Sequence, residues 1–186
     1  DTSVWPRVLK NATFTRSQPG EEVIAAAGTE LIPHAHSVIA DINVIFSGTN
    51  GGWSEKNFTL EQSYNNAEEI TAMIAMLKQQ AQLSYQPDQY VIIGLTTQDN
   101  AYWAQYESAC ITAFGDKFFN LRQALADEAL LRKNGITPTS EDLTHIQKGA
   151  VPPSLLAADQ THFNDTGYRL IGTLLYEKLK TLGYLT

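Results

Sequence analysis

The order of segments along the chain predicts an α/β fold, a three-layer α/β/α sandwich around a central parallel sheet. Three observations carry that expectation. Short apolar runs alternate with longer amphipathic stretches from end to end. The runs are near-continuous rather than polar at every second residue, as in strands buried on both faces. Two of them, 22–27 and 41–46, close on a glycine, Gly28 and Gly48, where the chain must turn toward its next segment.

Each element follows from its residues. A short helix is expected over Val4–Lys10. Glu22-Val23-Ile24-Ala25-Ala26-Ala27 reads as the first visible strand and Asp41-Ile42-Asn43-Val44-Ile45-Phe46 as the second. Thr59 and Gln62 form a capping-box pattern for a helix running to about Ser84. Within it Ile70, Met73, Ile74 and Leu77 keep the three-and-four spacing of one buried face. Tyr90-Val91-Ile92-Ile93-Gly94-Leu95 is the clearest strand, and Lys117-Phe118-Phe119-Asn120-Leu121 a short fourth. Residues 100–114 and 121–134 carry helical patterns. Pro152-Pro153 marks a turn. A last helix is expected from about Asp165 to Leu182, with Ile171, Leu174, Leu175 and Leu182 inward and Gly183 as its C-terminal cap. With no repeat, low-complexity tract or linker, residues 1–186 read as a single domain. Right-handed crossovers restrict its topology. In such sheets the working residues gather beyond the strands' C-terminal ends.

Bulk properties narrow the function. A net charge of −7 without a Lys/Arg cluster argues against nucleic acid as a partner. Charged residues are 18% of the chain, so Asn, Gln, Thr and Ser supply much of the polar surface, which fits a secreted or cell-surface setting. No signal peptide is present, and a start at Asp1 is compatible with removal of one. No apolar run is long enough to cross a membrane. The single cysteine, Cys110, excludes an internal disulfide, and no Cys/His set has zinc-site spacing. Cys110 is expected to be a small buried apolar residue. His34 and His36 alternate on a predicted helix start and so point to different faces rather than to one metal. Trp53, Tyr102, Trp103 and Tyr106 suit a substrate cleft in type, though packing explains each of them as well.

Three short motifs carry chemistry. Asp159-Gln160-Thr161-His162 places a carboxylate and an imidazole in one loop directly before the last helix. A carboxylate so placed holds an imidazole in one tautomer and stabilises its protonated form. Read alone, the same residues also suit a turn with a surface histidine. In Gly48-Thr49-Asn50 a strand ends on glycine and an amide follows, a neutral donor suited to a developing oxyanion; a glycine-rich turn is the plain alternative. Gly28, after a strand, can offer its backbone N–H to the same charge.

In this order, Gly28, Gly48-x-Asn50 and Asp159-x-x-His162, followed by Phe163-Asn164-Asp165-Thr166-Gly167-Tyr168, resemble the SGNH, or GDSL-like, hydrolase family. The resemblance reaches from about residue 4, where Val4-Trp5-Pro6-Arg7-Val8-Leu9 is similar to the family's first helix. It implies a flavodoxin-like sandwich and a serine esterase working through an acyl-enzyme without metal or cofactor. His162 would be the general base, Asp159 its orienting partner, and Asn50 and the Gly28 N–H the oxyanion hole. The substrate class would be an ester, such as an O-acyl or O-acetyl group on a carbohydrate. The family's first block, a strand followed by Gly-Asp-Ser, does not occur in the sequence. Ser3 in Asp1-Thr2-Ser3 stands too close to Trp5 to replace it, and Ser37, Ser47, Ser63 and Ser154 lack the right context. The expectation is that a segment upstream of Asp1 supplies the strand and the serine. The alternative is a catalytically silent binding module with the same fold. A nucleotide-binding reading fails because no glycine-rich phosphate loop follows the first visible strand.

Overall fold

The computed structural model describes residues 19–21, 24, 26, 41–49, 54, 63–82, 88–96 and 103–185. The expected helix at 4–10, the Thr59/Gln62 box, Gly28, His34, His36, Asn50, Trp53 and Tyr102 lie outside them. Among the described residues the chain is a mixed α/β structure built on a three-stranded parallel sheet in the order β1 (Asn43–Ile45), β2 (Tyr90–Ile93), β3 (Phe118–Phe119). Val44 pairs with Val91, and Ile92 with Phe118. The three apolar runs read as strands from 41 onward are therefore strands, each shorter than its run. Of the run at 22–27 only Ile24 and Ala26 are described; neither lies in a strand, and Ile24 is 88% exposed. An apolar run signals burial, but a strand also needs a neighbour to accept its ladder, and no described strand pairs with these two residues.

Helices α1 (Ala67–Ala81) and α2 (Trp103–Phe114) follow β1 and β2. After β3 come α3 (Leu121–Leu125), α4 (Glu128–Lys133), α5 (Ser140–Gln147) and α6 (Asp165–Thr181). The alternating side chains of β2 divide the core. Ile92 joins a cluster with Ile45, Met73 and Leu77, and with Tyr106, Cys110 and Phe114 of α2. Val91 and Ile93 join a second cluster with Leu121, Leu125, Leu131, Leu155, Phe163, Leu170 and Ile171. A strand whose successive residues enter different clusters has no polar face, which is why β2 reads as unbroken Val and Ile.

Two helical expectations needed revision. The helix predicted from Thr59 onward is interrupted: Asn65 lies in a turn, and Asn66, in extended conformation, caps a new helix by accepting the N–H groups of Glu68 and Glu69. An asparagine side chain competes locally with the helical ladder, and here it won. Ile70, Met73 and Leu77 are buried as expected. The helix predicted over 121–134 is split at Asp127, whose carboxylate caps α4 through Ala129 and Leu130. The last helix matches its expected limits. Gly183 takes a positive φ of 71°, its N–H donates to Lys180, and Tyr184 N–H donates to Leu179, the paired bonds of a Schellman cap. No described helix is long and apolar enough to cross a membrane.

Candidate active site

The Asp159–His162 loop grows from a narrow neck. Pro153–Leu155 form one 3-10 turn, and Leu156 then makes an isolated antiparallel bridge with Phe163. Across the neck Ala157 N–H donates to the His162 carbonyl (2.7 Å) and Asn164 N–H to the Leu155 carbonyl (3.0 Å). The six residues from Ala157 to His162 therefore close on themselves, and Gln160 absorbs the reversal with a φ of 55°. Phe163, on the far side of the chain from His162, is buried in the second cluster and meets the ring of Tyr168 edge-on at 5.7 Å. Gly167 lets α6 approach this neck. A Cβ there would collide with the Leu155 carbonyl and come within 2.9 Å of the Phe163 ring.

Within the loop Asp159 organises its neighbours. Its Oδ1 accepts the N–H groups of Thr161 (2.9 Å) and His162 (3.0 Å), and its Oδ2 lies 2.7 Å from His162 Nδ1. The ring contact foremost, then the two backbone donors, hold the Asp159 carboxyl well below the usual aspartate range. The carboxylate is thus ionised at any pH near neutrality, and the imidazole is tied through Nδ1, which leaves Nε2 as the atom able to take a proton. Both side chains face solvent, His162 72% and Asp159 52% exposed. The two residues that the sequence singled out do meet, through His162 Nδ1 and Asp159 Oδ2.

Asn50 and Gly28 lie outside the described residues, but the residues flanking Asn50 in sequence are anchored to α1. On one side Ser47 Oγ donates to Gln80 Oε1 (3.3 Å). On the other, Ser54 donates both its N–H (2.9 Å) and its hydroxyl to Glu69, a fully buried carboxylate that also receives the Ser63 hydroxyl (2.8 Å). Among the described residues no serine hydroxyl is hydrogen-bonded to His162. Trp103 and Tyr106 turn out to be packing residues. Tyr106 is buried, its hydroxyl accepting the Leu95 N–H (3.2 Å), and Trp103 stacks on the Arg122 guanidinium at 4.2 Å. Cys110 is buried, and burial pushes its thiol up to about 12, so it is an inert core residue. Among the described residues no group of His, Cys, Asp and Glu could hold a metal ion.

Sequence reasoning named Asn164 only within the motif that follows His162 and gave it no role of its own. It caps α6 by accepting the Gly167 N–H (2.9 Å), and its Nδ2 donates to the carbonyls of Ser154 (2.8 Å) and Leu156 (3.1 Å). The cap was legible as an asparagine before a helical pattern; the donors reach back eight and ten residues and left no local signal. No protein family, curated protein or solved structure significantly matches this chain.

Proposed function

We propose that this chain is the greater part of an SGNH-type serine ester hydrolase. The observation that carries the reading is the 2.7 Å contact between Asp159 Oδ2 and His162 Nδ1, in a loop closed upon itself immediately before the last helix. Acceptance of the Thr161 and His162 N–H groups is what any aspartate does in a tight turn; the contact to the His162 ring is the one that supports the reading. The finer fold belongs to the same proposal. A parallel sheet whose central strand feeds two clusters suits a flavodoxin-like three-layer sandwich, completed by a strand and a Gly-Asp-Ser serine from upstream of Asp1.

In this mechanism His162 Nε2 takes the proton of the serine hydroxyl as Oγ bonds to the ester carbonyl carbon. The resulting oxyanion is met by the Asn50 amide and the Gly28 N–H, a prearranged donor being worth about 3–4 kcal/mol. Collapse breaks the ester C–O bond, and the protonated imidazole gives its proton to the leaving alcohol. Water then repeats the sequence on the acyl-enzyme. Asp159 stays ionised throughout and stabilises the imidazolium. The substrate class proposed is an acylated or acetylated carbohydrate or small ester.

The test is turnover of p-nitrophenyl acetate by the natural polypeptide and its His162→Ala variant. Loss of a base of this kind should lower kcat at least about 10³-fold. Equal rates in the two proteins, or none in either, would remove the esterase reading and leave the silent binding module.

A further inference from the structure

We propose that Asn164 is a positioning residue for the Asp159–His162 pair, acting through the neck of the loop rather than only as the cap of α6. The proposal rests on the hydrolase reading for its catalytic consequence, though not for its structural one. The imidazole is 72% exposed, so packing does not fix its orientation. What fixes it is Asp159 and the course of the backbone from Ala157 to His162. That course begins and ends at the neck, and Asn164 holds both limbs. Its backbone N–H and its Nδ2 together bind the carbonyls of Ser154, Leu155 and Leu156, three successive residues of the rising limb, while Asn164 itself stands two residues past His162 on the returning one. An N-cap requires only the Oδ1 acceptor toward Gly167. The two Nδ2 bonds are surplus to capping, and their effect is to set the register of the Leu156–Phe163 bridge. A slip of one residue there would exchange the faces of Phe163 and His162.

The rising limb has a second anchor. Ser154 N–H donates to Oδ1 of Asp142 (2.9 Å), a fully buried carboxylate at the start of α5. The line of support therefore runs from α5 through Ser154 and Asn164 to the loop.

Asn164→Asp separates the two roles. Aspartate caps a helix as well as asparagine and suits its positive end, so α6 keeps its start. The second carboxylate oxygen, however, now faces two carbonyl oxygens where a donor stood. Asn164→Ser likewise keeps a capping acceptor and removes the donors without adding charge. The experiment compares both variants with the natural polypeptide in two readouts. One is kcat and KM for p-nitrophenyl acetate; the other is the His162 tautomer, read from the ring 15N shifts in long-range 1H–15N spectra. The expected wild-type ring carries its proton on Nδ1, toward Asp159. In both variants the Nε2–H form, preferred by an unrestrained imidazole, should gain population. kcat should fall about 10- to 100-fold with KM held within about 2-fold, as for a misplaced catalytic group. A wild-type tautomer in both variants overturns the proposal, whatever happens to kcat. Should His162→Ala turn over at the wild-type rate, the hydrolase reading falls, and the tautomer populations alone decide whether Asn164 positions the pair.

Discussion

At the scale of single residues, the pairing of Asp159 with His162 was readable because it is local. Two side chains three apart in a tight loop need little from the rest of the chain to meet, so spacing and residue type sufficed. The neck that holds them was not readable, because the partners of Asn164 lie on another limb and nothing in their sequence marks them. The state of the carboxylate follows from the geometry. Asp159 is held below the ordinary aspartate value chiefly by the His162 ring and then by the His162 and Thr161 N–H groups. A lowered pKa in the folded state means that the carboxylate's ordering of the loop is complete above the unfolded value, about 3.9. It is lost only as pH falls through the lower, folded value. The expected outcome is that the 13C carboxyl resonance of Asp159 shows no step near pH 4 and titrates below it; a midpoint at the ordinary value would mean that the three contacts do not persist in solution.

At the scale of elements, α5 is the helix that the sequence reading missed and the one whose start matters most to the loop. Thr139 and Asp142 form a capping box in which the Thr139 hydroxyl accepts the Asp142 N–H (3.1 Å) and Asp142 Oδ2 accepts the Thr139 N–H (2.8 Å). Threonine with an acidic residue three positions on is a legible signal. It was overlooked because the segment has few apolar residues, and apolar period was the guide. The same bias ran 59–84 and 121–134 together as single helices, since Asn66 and Asp127 interrupt the ladder without interrupting the apolar pattern. For Asp142, burial pushes the carboxyl up, but the hydrogen bonds from Ser154 and Thr139 outweigh it and leave the pKa below the ordinary value. Its contribution to stability is therefore full above about pH 3.9 and fades as pH falls through the lowered value. Asp142→Ala removes one cap and strands the Ser154 N–H, and should cost about 2–4 kcal/mol in urea unfolding at pH 7. The difference from wild type should narrow as pH falls below the ordinary aspartate value. A difference independent of pH would show that the side chain acts by shape and not by charge.

At the scale of the whole molecule, the two core clusters on β2 are also joined by a largely buried ion pair. Glu107 belongs to α2, whose Tyr106, Cys110 and Phe114 face the first cluster; Arg122 belongs to α3, whose Leu121 and Leu125 face the second. Arg122 meets Glu107 with two hydrogen bonds, Nε to Oε1 at 2.5 Å and Nη2 to Oε2 at 2.7 Å. Its Nη1 donates to the Gly149 carbonyl at the end of α5, and its plane lies on the Trp103 ring. One guanidinium thus links the start of α2, the start of α3 and the segment that leads toward the Asp159–His162 loop. Arginine is suited to this where lysine is not, since only a planar fork satisfies a bidentate carboxylate, a carbonyl and an aromatic face together. Both side chains are nearly buried, at 11% and 12% exposure, so water cannot replace a lost partner. Arg122→Ala should then destabilise the protein by about 3–5 kcal/mol, because it leaves the Glu107 carboxylate desolvated and alone. Arg122→Met with Glu107→Leu should recover most of that loss, since apolar residues of similar volume carry no desolvation cost. Equilibrium unfolding in urea distinguishes the cases. If the double variant is as unstable as Arg122→Ala, the Gly149 and Trp103 contacts, and not the charge pair, are what bind the two halves of the core.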